Sequence, residues 1–230
     1  MYVKICGLRD PEHAMLAAEL GADAIGVVIS PNSPRHASLD EARAVVAATQ
    51  SFALDTVLVT NTLSAIEAAH IAVDMGFDVL QLHGDYSAAD FAAARAILPR
   101  IWRATSLAQF PKLRAGEFGE ARLLLDGVLP GSGATWDLAA LNDPELKQRI
   151  GTDWLLAGGL SPDNVGSAIA AARPGGVDIS TGVESSPGLK NPDLIRHFIA
   201  NARTVQDPPA AVHEPRSGNA AGHVSPANPS

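Results

Sequence analysis

The sequence contains one cysteine, Cys6, and it stands two residues after Lys4 in the run Tyr2-Val3-Lys4-Ile5-Cys6-Gly7. In an extended segment alternate side chains share a face, so the thiol and the ammonium lie on one side and Val3 and Ile5 on the other. A thiol beside a cation, at a strand end released by a glycine, can have its thiolate stabilised and can act as a base or a nucleophile. The commoner role of a lone cysteine is a small buried core residue, and Cys6 by itself does not decide between the two. A carboxylate, Asp126, closes the apolar run Leu123-Leu124-Leu125, and His83 closes Gln81-Leu82. Gly158-Gly159 and Ser180-Thr181-Gly182 end two further apolar runs. Glycine at such ends lets the backbone approach an anion, and N–H groups at helix starts supply positive potential.

Strand tips of this kind need regularly alternating elements behind them, and the punctuation of the chain supplies these. Asp10-Pro11 opens a helix that Gly21 ends, and Ala24–Ile29 is a continuous apolar run of the type found in a parallel strand covered on both faces. Ser38-Leu39-Asp40-Glu41 and Ser64-Ala65-Ile66-Glu67 read as capping boxes. Strands are predicted at Thr56–Val59, Val79–Leu82, Ile101–Ala104, Leu123–Leu125, Trp154–Ala157 and Val177–Ser180. Helices are predicted from Ser87, around 137–149, after a cap at Ser161-Pro162-Asp163, and from Asn191-Pro192. Residues 106–120 carry Pro111, Gly116 and Gly119, so the fifth helix should be short or degenerate. A faint repeat relates Gly21-Ala22-Asp23-Ala24-Ile25 to Gly76-Phe77-Asp78-Val79-Leu80, each a helix-ending glycine running into a strand.

This alternation fits either a doubly wound sheet or a closed barrel. Eight units, with polar and glycine residues gathered at strand C-termini, favour one α/β domain, a (β/α)₈ barrel over residues 1–203. From Thr204 to Ser230 there are five Pro and five Ala and almost no apolar periodicity, which predicts a disordered tail. His213 and His223, ten residues apart in that tail, are a poor basis for a metal site.

Apolar residues make up 47% of the 230, ample for a core. A net charge of −8 and a pI near 5.3 argue against nucleic acid or an anionic membrane as the main partner, while leaving room for a local basic pocket. One cysteine forms no internal disulfide, so a reducing, cytoplasmic setting is expected. The first residues spell a strand rather than a signal peptide, and no apolar run nears the roughly 18 residues of a membrane span.

In such a barrel the tips of strands seven and eight commonly bind phosphate, here Gly158, Gly159, Ser180, Thr181 and Gly182. Strands one and six flank that pair, so the remainder of a sugar phosphate would lie between Cys6 and Asp126. That arrangement suits a base on one side and an acid on the other.

Lys4-Ile5-Cys6-Gly7, Gln81-Leu82-His83-Gly84, Leu125-Asp126, Gly131-Ser132-Gly133, Gly158-Gly159-Leu160 with Pro162-Asp163-Asn164-Val165, and Val177-Asp178-Ile179-Ser180-Thr181-Gly182-Val183-Glu184 together resemble the phosphoribosylanthranilate isomerase family. The match runs in order from residue 2 to about residue 203. The resemblance implies a (β/α)₈ barrel of tryptophan biosynthesis that converts N-(5′-phosphoribosyl)anthranilate to 1-(2-carboxyphenylamino)-1-deoxyribulose 5-phosphate by Amadori rearrangement, without metal or cofactor. It implies Asp126 as the general acid that opens the furanose and Cys6 as the general base at C2′. It places Arg35, of Ser33-Pro34-Arg35, opposite the anthranilate carboxylate, a task suited to a planar guanidinium; otherwise Arg35 would be a solvated loop residue. His83 is a candidate substrate contact or a group that satisfies a loop. Asp178 shares a face with Ser180, points inward, and is expected to pair with Lys4 or with a substrate hydroxyl. A monomer or a homodimer is expected.

The stretch Gly131-Ser132-Gly133-Ala134-Thr135-Trp136-Asp137 departs from the family pattern, which usually has Lys where Ala134 stands and Phe where Trp136 stands. Thr181 replaces a frequent Ser. The related sugar-phosphate isomerase of histidine biosynthesis would be expected to carry Asp in place of Cys6 and a stronger half-barrel repeat. A phosphate-binding paralogue without turnover is disfavoured by the intact Cys6 and Asp126.

Overall fold

The computed structural model describes residues 1–127, 138, 141 and 143–204. Eight parallel strands close into a barrel in sequence order. They are β1 (Tyr2–Cys6), β2 (Ala24–Val28), β3 (Asp55–Thr60), β4 (Val79–His83), β5 (Ile101–Thr105), β6 (Arg122–Leu125), β7 (Trp154–Leu156) and β8 (Gly176–Ile179). The ring closes where β1 pairs with β8, in a register that sets Lys4 opposite Asp178. Around it run α1 (Pro11–Glu19), α2 (Leu39–Thr49), α3 (Ala65–Met75), α4 (Ala88–Arg95), α5 (Pro144–Ile150), α6 (Val165–Ala172) and α7 (Pro192–Thr204).

Local chemistry explains most of the helix starts. Asp10 accepts from the Glu12 N–H ahead of α1 with Pro11 in the first position, and Ser38 and Glu41 exchange both bonds of a capping box ahead of α2. At α3 only half of the expected box forms, because Ser64 accepts from the Glu67 N–H without the reciprocal bond. Ser87 and Asp90 form a full box ahead of α4, and Asn191 Oδ1 accepts from the N–H groups of Asp193 and Leu194 at α7.

Two expectations are corrected. The cap of α6 is Asn164 rather than Ser161-Pro162-Asp163: its amide oxygen turns back to the Ser161 N–H and makes no side-chain bond to the helix. Within the helical stretch foreseen around 137–149 the described residues form α5, and residues 137, 139, 140 and 142 lie outside the described residues. Of eight expected helices the fifth is replaced outright: no α-helix runs between β5 and β6 among the described residues. The segment between them packs on Arg103 of β5, whose guanidinium lies 3.7 Å from the Phe118 ring centre and 4.7 Å from that of Phe110. The Ala134 and Trp136 departures and nearly all of the 204–230 tail lie outside the described residues.

The core has two layers. Val3, Ile25, Leu58, Leu80 and Leu123 face the helices, while Cys6, Val57, Val79, Trp102 and Leu155 fill the barrel interior. At the N-terminal end, Tyr2 donates to Asp55 Oδ2 at 2.6 Å and Arg100 grips the same carboxylate through both terminal nitrogens. Among the described residues no helix is long and apolar enough to cross a membrane.

Candidate active site

At the C-terminal ends of the strands the barrel opens into a cavity of about 420 Å³. Every site residue singled out from the sequence, from Cys6 on β1 to Gly182 beyond β8, lines it. Lys4 lies beneath, fully buried, with its Nζ 2.8 Å from Asp178 Oδ1. Burial disfavours its charge, but Asp178 and Cys6 outweigh that and raise its pKa, so Lys4 is an ammonium. Burial in turn pushes the Cys6 thiol up, while the Lys4 and Lys190 ammoniums pull it down. Gly26, paired with Cys6 in the β1–β2 ladder, makes room for both: a Cβ there would fall 2.8 Å from Cys6 Sγ and 3.2 Å from Lys4 Nζ. A lone glycine inside an apolar strand was the sequence signal for this close approach.

Asp126 stands across the cavity at the tip of β6. Its Oδ1 accepts from the Gly127 N–H at 2.8 Å, and His83 Nε2 lies 3.6 Å from its Oδ2. Burial raises its pKa against the opposing effects of His83 and the Gly127 N–H, which favours a protonated carboxyl able to donate. Gly158 has a φ of +84°, and a Cβ on it would fall 2.5 Å from Asp126 Oδ1 and 2.3 Å from the Gly127 nitrogen. Only glycine tolerates both the angle and the approach, so Gly158 shapes the seat of Asp126 as well as the adjacent turn.

That turn is held by Asn164, whose amide donates to the Gly159 carbonyl and accepts from the Ser161 N–H. Among the described residues the N–H groups of Gly159 and Leu160 have no partner and are available to an anion. Facing them, Thr181 and Gly182 belong to a 3₁₀ turn, Thr181–Val183, directly after β8.

The turn leads into a hairpin of β9 (Glu184–Ser186) and β10 (Leu189–Lys190), which was not foreseen from the sequence. It brings two charged groups to the rim. Glu184 receives Arg35 Nε at 2.7 Å and Nη2 at 2.8 Å, and Lys190 Nζ donates to the same carboxylate at 2.8 Å and to the Ser180 carbonyl at 2.8 Å. Burial opposes the Glu184 charge, but these bonds hold its pKa below the usual carboxylate range. Arg35 also reaches Thr181 Oγ1 at 3.2 Å. Arg35 is therefore braced at the cavity wall rather than solvated. Among the described residues no group of three or more His, Cys, Asp or Glu side chains is gathered as a metal site.

A family profile described as N-(5′phosphoribosyl)anthranilate (PRA) isomerase matches residues 3–201. The N-(5′-phosphoribosyl)anthranilate isomerase of Haloferax volcanii is 36% identical over 218 residues, covering 89% of this chain and 94% of its own. The crystal structure of TrpF from Jonesia denitrificans is similar with 48% identity and a TM-score of 0.80, covering 89% of this chain and 98% of the other. A phosphoribosyl anthranilate isomerase solved in complex with reduced 1-(o-carboxyphenylamino)-1-deoxyribulose 5-phosphate has 31% identity and a TM-score of 0.76, covering 89% of this chain and 99% of its own.

Proposed function

Because the chain belongs to the N-(5′-phosphoribosyl)anthranilate isomerase family of tryptophan biosynthesis, we propose that its cavity carries out the Amadori rearrangement of N-(5′-phosphoribosyl)anthranilate, with Asp126 as general acid and Cys6 as general base. The observation that carries this reading is the shared cavity of the two groups: a half-buried carboxyl with a raised pKa at the tip of β6, and a thiol above a buried ammonium on β1. A relative's complex with a reduced sugar-phosphate product supports a sugar phosphate as the ligand class.

The substrate phosphate sits at the Gly159, Leu160 and Gly182 backbone. The sugar then spans the space between Asp126 and Cys6. Asp126, as the acid, gives its proton to the furanose oxygen. The C1′–O bond breaks as the nitrogen lone pair forms a C1′=N iminium. Cys6, as the thiolate, removes the C2′ proton, and the electron pair of that bond forms C1′=C2′ and neutralises the iminium. The enolamine takes up a proton at C1′ and loses the one on its C2′ hydroxyl, giving the ketone, and proton exchange with water returns Asp126 to its acid form and Cys6 to its thiolate. Protons balance and no redox partner is required. Each proton transfer contributes about 10²–10⁴ in rate. His83, beside Asp126, stabilises the carboxylate left after the first transfer.

The test is direct. Purified protein mixed with N-(5′-phosphoribosyl)anthranilate should quench the fluorescence of the anthranilate amine as product forms. A trace indistinguishable from buffer would overturn the proposal.

A further inference from the structure

Gln81 is the interior residue of β4 two positions before His83. It is buried to 2% exposure and lines the cavity, yet its side-chain oxygen has no hydrogen-bond partner among the described residues. Buried amides are rarely left unpaired, because the desolvation of the polar atom is then uncompensated. The charged groups of the site have partners of their own: Lys4 with Asp178, Asp126 with the Gly127 N–H, and Arg35 and Lys190 with Glu184.

We propose that the Gln81 amide is a substrate-binding group that pairs with a hydroxyl of the sugar. The inference rests on the function proposed above. In that reading Arg35 and the turns after β7 and β8 take the two anionic ends of the substrate. The sugar is left over the cavity floor, and its free groups there are hydroxyls. A hydroxyl both donates and accepts, so it satisfies the amide in either orientation. The free chain thus carries an unpaired polar group, and the sugar hydroxyl is the partner assigned to it.

The experiment compares the parent with Gln81→Met, a near-isostere that keeps the volume and loses the polar atoms. Titration calorimetry would give dissociation constants for reduced 1-(o-carboxyphenylamino)-1-deoxyribulose 5-phosphate and for inorganic phosphate, alongside the melting temperature. The reduced product should bind about tenfold more weakly to the variant, the loss expected for one hydrogen bond. Phosphate affinity should not change, and the melting temperature should hold or rise, since an orphaned polar atom has gone. Unchanged binding of the reduced product would overturn the inference. So would equal losses for both ligands together with a lower melting temperature, which would make Gln81 a structural residue. A parent that binds the product with this discrimination but shows no turnover would defeat the catalytic reading and leave this one standing. A second readout uses the parent alone: the side-chain amide resonances of Gln81 should shift with reduced product and stay in place with phosphate. Equal shifts with both, or none with either, would overturn the assignment.

Discussion

Lys4 Nζ lies 2.8 Å from Asp178 Oδ1 across the seam where β1 and β8 close the barrel, with the Lys4 side chain wholly out of solvent and Asp178 at the cavity edge. The pair joins the closure of the fold to its chemistry, because Lys4 is also the cation beneath Cys6. Removing one partner of a buried pair costs about 3–5 kcal/mol, mostly from the charge left behind. The two deletions should therefore differ. Asp178→Asn strands the fully buried ammonium and should fall in that range, while Lys4→Met leaves a carboxylate that cavity water can reach and should cost less. Urea unfolding of both variants decides it; the opposite order would refute the asymmetry. Folding raises the Lys4 pKa, so the stabilisation is fully present below the ordinary lysine range and is lost only as pH climbs through the raised value.

Cys6→Ala and Asp126→Asn should each lower kcat by at least about 10², the lower end of what a positioned acid or base supplies. Their stabilities should move differently. Folding raises the Asp126 pKa, so its carboxylate form destabilises the fold as pH rises through that value. Asp126→Asn should thus melt at or above the parent temperature at pH 8 and lose activity all the same. Near-parent turnover in either variant would remove that residue from its role.

Much of this was legible beforehand because the physics is local. Ser38 and Glu41 are three residues apart and need only each other, and Lys4, Cys6, Asp178 and Ser180 follow from strand alternation once a barrel is assumed. The absent fifth helix could be read from Pro111, Gly116 and Gly119, but the stacking of Arg103 on Phe110 and Phe118 could not, since it depends on how a turn folds back. The resemblance to a family, rather than the spacing, singled out Arg35. Nothing local announced its partner Glu184, 149 residues away, or the hairpin that also delivers Lys190. Gln81 was quoted as part of a motif without a role, because an unpaired atom is visible only when its surroundings are.

The pH dependence of kcat/KM follows from the two shifted groups. The reactive form needs a protonated Asp126 and a deprotonated Cys6. Both pKa values are raised, the carboxyl from its usual range near 4 and the thiol from its usual range of about 8.5. The reactive form is thus bounded by the titration of both groups. The profile should be a bell, with Asp126 setting the acid limb and Cys6 an alkaline limb above the ordinary thiol range. Cys6→Ser, in whatever activity it keeps, should move the alkaline limb and leave the acid limb. An alkaline limb below pH 7 in the parent would contradict the assignment.

Arg35 poses the sharpest question about specificity. Nε and Nη2 are already committed to Glu184, and Nη2 also touches Thr181 Oγ1, so Nη1 is the guanidinium nitrogen left for a substrate carboxylate. Such a contact involves a part of the substrate that does not react, so it is present in ground and transition states alike and its loss should appear in KM. Arg35→Ala should raise KM about ten- to a hundredfold, equivalent to about 1.5–3 kcal/mol for a hydrogen bond between charged groups. Arg35→Lys should recover only part of this, because an ammonium cannot both grip Glu184 in a fork and present a second nitrogen. Glu184→Gln keeps the arginine but weakens its brace, and its KM should lie between those of the parent and Arg35→Ala. The competing position comes from Thr181, which ties Arg35 to the turn assigned to phosphate. Inhibition by inorganic phosphate separates the two. If Arg35 faces the carboxylate, the phosphate Ki of Arg35→Ala equals that of the parent while KM rises; if both rise in parallel, Arg35 belongs to the phosphate end.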